Sequence, residues 1–224
     1  MRRALGWLAA LGLVAGLGAA FAYAPREVVQ GNVQRVMYLH VPAILTAYLA
    51  FALTLVASVA YLATRRAGWD RMAASAAELG VLFTGLTILS GSIWGRATWF
   101  KGQALSWTQG WWTWDARLTS TAVLFLVYVG YLLLRAMVED REARGRFAAV
   151  VGIVGAANIP IVHFSVKWWR ALHQPSTLLG PEPSPIAPPI RLALLVNVVA
   201  FVLLFAYFLV RRVEIARVED EALD

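Results

Sequence analysis

His40, His163 and His173 are the three imidazoles in a chain of 224 residues that contains ten tryptophans and no cysteine. Disulfides, thiolate metal sites and thiol catalysis are therefore excluded. His40 stands in Tyr38-Leu39-His40-Val41-Pro42 and His173 in Leu172-His173-Gln174-Pro175, each beside a proline that starts or stops a helix. His163 closes an apolar run and reads as a packing or hydrogen-bonding residue, with ligation in reserve. A single histidine at a membrane interface is ordinarily a cap or belt residue. Two on loops that flank a third loop full of indoles suit a different chemistry. Neutral imidazole binds iron well, and two rings on opposite sides of a porphyrin give bis-histidine ligation.

The third loop contains Gly110-Trp111-Trp112-Thr113-Trp114-Asp115-Ala116-Arg117, three indoles in four residues followed by a carboxylate and a guanidinium. Indoles at a membrane surface commonly form an interfacial belt. This density instead fits a platform of flat, rigid faces for a planar apolar ligand with a few polar edges. Asp115 is placed to cap the helix that follows. Arg96, Lys101, Arg117, Lys167 and Arg170 could meet carboxylates at the ligand edge, in bidentate fashion for arginine, though each could equally anchor the interface. Lys167-Trp168-Trp169-Arg170 repeats the indole-and-cation theme.

The elements that must position these groups are membrane spans. The chain is 60% hydrophobic and 15% charged, with mean hydropathy +0.64, well outside soluble compositions. Six apolar runs are long enough to cross about 30 Å of hydrocarbon as helices, at approximately 5–24, 41–63, 72–93, 118–138, 147–164 and 192–210. None alternates with the period of a barrel strand. An all-α polytopic membrane protein is predicted, one membrane domain over 1–224, with outer loops at 25–40, 94–117 and 165–191. Of the 20 Lys and Arg, twelve fall at one set of helix ends and eight at the other, which places both termini in the cytoplasm. The outer loops then hold all the unusual residues. The net charge of +7 could suggest nucleic acid, but no basic soluble domain exists to carry such a site. Arg2-Arg3, the first run and Ala20-Phe21-Ala22 resemble a secretory signal, yet the run is long for one, and an uncleaved first helix is expected. Glu78 reads as paired with an inner arginine, Asn158 and Asn197 as interhelical hydrogen-bonding groups.

Gly91-Ser92-Ile93-Trp94-Gly95 followed by Trp111-Trp112-Thr113-Trp114-Asp115-Ala116-Arg117-Leu118-Thr119-Ser120 resembles the WWD signature of the haem-handling proteins of cytochrome c biogenesis. Tyr38-Leu39-His40-Val41-Pro42-Ala43 and Phe164-Ser165-Val166-Lys167-Trp168-Trp169-Arg170-Ala171-Leu172-His173-Gln174-Pro175 narrow the resemblance to the six-helix CcmC family. It covers about residues 38–176. It implies haem b held at the outer face of the bacterial inner membrane, with His40 and His173 as axial ligands and Trp111, Trp112, Trp114 and Asp115 in the platform. It also implies delivery to the haem chaperone CcmE, beside CcmA, CcmB and CcmD, without enzymatic activity. The chain departs from the family pattern where Arg96 to Gly110 separates the Trp-Gly pair from the WWD motif, and where Thr108-Gln109 replaces the motif's leading Trp-Gly.

Two other functions compete. A haem lyase of the larger WWD class would attach haem to apocytochrome c, but such proteins carry more helices and more histidines. A transporter or haem exporter subunit would mark the bilayer interior with ionisable groups or broken helices, and Glu78 alone is thin support.

Overall fold

A computed structural model describes residues 2–169, 171–173 and 186–222. Arg170, Gln174, Pro175, Ser176 and the proline-dense stretch 181–185 lie outside the described residues. The described chain is helical: α1 (Arg2–Gly18), α2 (Met37–Thr64), α3 (Ala67–Trp99), α4 (Ala116–Met137), α5 (Arg141–Ala156), α6 (Asn158–Trp168) and α7 (Pro188–Glu221). A π-helical turn, Ala19–Tyr23, extends α1, and a 3₁₀ turn, Asn32–Val36, leads into α2. With α5 and α6 taken together, six segments of 22 to 34 residues are long and apolar enough to cross a bilayer. The chain is a multi-pass, all-α membrane protein.

Small residues let the helices approach closely, as lipid-embedded bundles require. Ala43, Ala47, Ala50 and Ala57 of α2 are fully buried, as are Ala76 and Ala77 of α3. Phe51 lies over Gly80 of α3 and stacks on Tyr128 of α4 at 3.7 Å between ring centroids. The Tyr128 hydroxyl donates to the Gly152 carbonyl of α5 at 3.0 Å. Gly12 and Gly16 of α1 seat α7, and the Asn197 amide donates to the Gly16 carbonyl at 3.0 Å. Asn158 likewise donates to the Ser120 carbonyl of α4 at 2.9 Å. Glu78 meets Arg212 through two hydrogen bonds of 2.5 and 3.0 Å. Arg2 pairs with Glu214 at 3.0 Å, so the first and last helices bring their terminal ends together.

Of the boundaries that differ from those the hydropathy marks, three have a clear physical reason. The second helix begins at Met37 rather than at Pro42, because the 3₁₀ turn already supplies helical geometry and Pro42 removes only one backbone donor. His40 therefore belongs to a helix, not to the loop before it. The third helix continues six residues past Ile93 to Trp99, since nothing there breaks it and the Thr98 hydroxyl returns to the Trp94 carbonyl at 2.8 Å. The fifth run is two helices with a break at Ala157. Pro160 has no N–H for the Ala156 carbonyl, and the Ala157 N–H turns back to Val154 instead, at 3.1 Å.

Candidate functional site

At the end of the bundle opposite the termini, α2 begins, α3 ends, α4 begins and α6 ends. There the structure brings His40 and His173 together: their ring centroids are 6.3 Å apart and their planes differ by 32°. His40 is fixed by α3. Its Nδ1 lies 3.1 Å from the Thr87 carbonyl and 3.3 Å from the Ser90 hydroxyl, which leaves Nε2 without a protein partner among the described residues. Gly91 supplies the space, because a Cβ there would stand 2.8 Å from His40 Cε1. Trp94 meets the ring edge-on at 5.7 Å. One turn further, Gly95 gives the same room to the Trp99 indole, which abuts His173 edge-on at 5.1 Å. The stripe Gly91, Trp94, Gly95, Trp99 thus alternates space and wedge along one face of α3 and touches both imidazoles.

His173 is held differently. Asp115 caps α4, its Oδ1 accepting from the backbone N–H groups of Arg117 at 2.9 Å and Leu118 at 3.4 Å. Its Oδ2 accepts from the Leu172 N–H at 2.6 Å. The His173 Nδ1 stands 3.8 Å from Asp115 Oδ1, beyond hydrogen-bond reach, and is buried without a partner. Burial, reinforced by the Arg117 cation and partly opposed by the Asp115 carboxylate, lowers the His173 imidazole to about 4. It is neutral at physiological pH, the form that binds metals.

The segment before α4 carries a second group of indoles. Trp112 and Trp114 pack edge-to-face at 5.9 Å, and Trp114 and Trp107 are 85% and 83% exposed, which leaves their faces to a partner. Trp111 donates to the Trp107 carbonyl at 2.6 Å and lies 4.6 Å beneath the Arg96 guanidinium. That guanidinium also donates to the Gln109 carbonyl at 2.9 Å and the Ser106 carbonyl at 3.1 Å, so it staples the segment between Trp99 and the WWD motif. Lys101 donates to the Val29 carbonyl at 2.8 Å, and Trp94 to the Gln30 side chain at 2.8 Å. Both tie the first outer loop to α3. Arg35 caps the end of α1 through the Ala20 and Ala24 carbonyls. Arg117 donates to the His163 carbonyl at 2.8 Å, while its Nε is buried without an acceptor. Lys167 lies over the Phe164 ring at 5.8 Å. His163 packs edge-on against Phe164 at 4.9 Å and faces no other imidazole among the described residues.

His40, His173 and Asp115 stand out by residue type and Gly91 within the Gly91-to-Gly95 motif, whereas Thr87, Ser90 and the ring-seating roles of Gly91 and Trp99 do not. The three- and four-residue spacing of glycine and tryptophan along the end of α3 is the one signal in the chain that points to the last two.

Iron–porphyrin as cargo can be tested against this donor set. Two imidazoles bound through metal–nitrogen bonds of about 2 Å on opposite sides of one ion have centroids about 6 Å apart. The observed spacing matches that requirement, and the His40 Nδ1 has acceptors beside it, the usual arrangement behind a ligating Nε2. The residues fit the group.

The fold and site define a six-span helical membrane protein with an imidazole pair flanked by indoles. A profile of the CcmC family, described as heme exporter protein C, matches residues 1–223. The heme exporter protein C of Bradyrhizobium diazoefficiens is 39% identical over 206 residues, spanning 91% of this chain and 74% of its own. That of Escherichia coli K12 is 37% identical over 186 residues, spanning 83% and 71%. A mitochondrial protein of Marchantia polymorpha, named for cytochrome c biosynthesis and likeness to CcmC, is 36% identical over 155 residues, spanning 69% and 61%. The chain belongs to the CcmC family.

Proposed function

We propose that this protein binds haem b at the periplasmic face of the bacterial inner membrane and delivers it to the chaperone CcmE during c-type cytochrome maturation, acting beside CcmA, CcmB and CcmD. The observation that carries the reading is the His40–His173 pair, 6.3 Å between centroids. His40 and His173 are the residues that would hold the iron, through their imidazole nitrogens. Thr87 and Ser90 orient the first ring, and Asp115 orients the segment that bears the second. Trp112, Trp114 and Trp111 cover the macrocycle at its exposed edge. Arg117, with an unmet Nε, is the best placed cation for a propionate; Lys167 and Arg96 are held to other groups in part, and Arg170 completes the set. The role is binding and hand-over, with no covalent chemistry asked of the protein. An outer placement of this end of the bundle is supported by the excess of arginine at the opposite helix ends.

The test is an absorption spectrum of the detergent-solubilised full chain. A low-spin bis-histidine spectrum is expected, lost with its haem in His40→Ala or His173→Ala. Transfer to purified CcmE should fall with it. Unchanged haem content and unchanged transfer in both variants would reject the assignment.

A further inference from the structure

A second concentration of charge lies at the end that carries the termini, far along the bundle from the imidazoles. A cavity of about 420 Å³ opens there among the ends of α2, α3, α4, α5 and α7, and Arg65, Arg71, Arg135, Arg141, Arg144 and Arg212 line it. The size is that of a small-molecule site. Most of the charge is internally matched. Asp70 takes Arg135 at 2.6 Å; Glu78 and Glu219 take Arg212 at 2.5 and 3.2 Å. Asp220 takes Arg71 at 3.0 Å and Arg141 at 2.7 Å. Glu142, the remaining lining carboxylate, is engaged by Arg146 outside the lining at 3.6 Å.

Arg65 and Arg144 are different. Neither has a carboxylate within ion-pair distance among the described residues, and the Nε of Arg144 is buried with no hydrogen-bond partner. A guanidinium with no carboxylate to balance it on a cavity wall favours an anionic ligand that accepts hydrogen bonds. Arg65 stands at the chain reversal between α2 and α3, where it adopts φ 56°. Ala67, the first residue of the 33-residue α3, also lines the cavity, and its N-cap offers no side-chain acceptor. The positive end of that helix adds to the field of the two arginines.

We propose that this cavity binds a phosphate-class oxyanion, held by Arg65 and Arg144. The chemistry is that of a tetrahedral anion with several acceptor oxygens, which a planar guanidinium engages in pairs. An acidic phospholipid headgroup and a free phosphate both present it, and basic recesses between helix ends at a membrane surface are a known setting for the former.

The thermal midpoint of the full chain in a non-ionic detergent tests this. The probes are inorganic phosphate and dihexanoylphosphatidylglycerol, each compared with sodium chloride at equal ionic strength and with dihexanoylphosphatidylcholine. At ten times its Kd a bound probe should raise the midpoint by about 3 °C or more. The response should vanish in Arg65→Gln/Arg144→Gln and weaken in Arg65→Gln alone, with helicity by circular dichroism unchanged. A response to the glycerol lipid alone assigns the site to headgroups; a response to inorganic phosphate alone assigns it to the free anion. Silence toward both probes beyond the chloride control overturns the proposal, as does a full response in the folded variants.

Discussion

Asp115 and Leu172 are joined by a 2.6 Å hydrogen bond from the Leu172 N–H to Oδ2, so the carboxylate that starts α4 also holds the peptide next to His173. Asp115→Ala removes a helix cap, worth about 1 kcal/mol, and strands the Leu172 donor. The variant should melt a few degrees lower and lose at least about tenfold in haem affinity. Asp115→Asn keeps an acceptor oxygen and should fall between it and wild type. A haem titration followed by absorbance, with a melting curve for each protein, checks the order.

Gly91→Ala should separate ring seating from helix stability. In an exposed helix interior the change is favourable by about 1 kcal/mol, but here the new Cβ would crowd His40 Cε1 at 2.8 Å. Helicity should be retained while haem affinity drops about tenfold or more. Wild-type affinity in this variant would mean that the ring has room to spare.

Acid should release haem late. His173 has a folded value of about 4 against about 6.5 when unfolded. Because its folded value is depressed, the unfolded chain binds the extra proton first, and stability falls as pH drops from about 6.5 toward 4. Ligation by neutral imidazole should stay intact to about pH 5 and fail near 4. Arg117→Gln removes a cation that disfavours the protonated ring, so the loss should move to higher pH. A pH titration of the haem absorption band in both proteins reads the shift directly.

Asp70 and Arg135 tie α3 to α4 through two hydrogen bonds of 2.6 and 2.9 Å, each side chain 16% exposed. Asp70→Ala leaves a largely buried guanidinium unpaired and should cost about 2 kcal/mol, between the values for exposed and buried pairs. Haem affinity should not change, since the pair lies at the other end of the helices. Differential melting with and without haem tests both halves of this expectation.

The six crossings are legible because an apolar run of the right length has few alternatives in lipid. Their ends are not, because hydropathy marks where hydrocarbon stops, whereas α3 runs on to Trp99 and α7 to Glu221 on ordinary helix geometry. Pro160 announces the break at Ala157, but it sits inside a run apolar enough to hide it. At the site, His40, His173 and Asp115 are conspicuous by residue type. Their supports are not: the Thr87 carbonyl reaches His40 across 47 residues and Asp115 reaches Leu172 across 57. A backbone carbonyl has no signature in the sequence, and a glycine shows its purpose only once the ring that fills its vacancy is known.

The break at Ala157 mounts the two imidazoles differently. His40 rides on an unbroken 28-residue rod locked to α3, whereas His173 follows an 11-residue helix with a joint behind it and a single carboxylate in front. If the pair grips haem as proposed, one jaw of the clamp is a continuous rod and the other a short helix set off by a break. On the proposed reading, release of haem would ask only the shorter jaw to yield and would leave the scaffold in place.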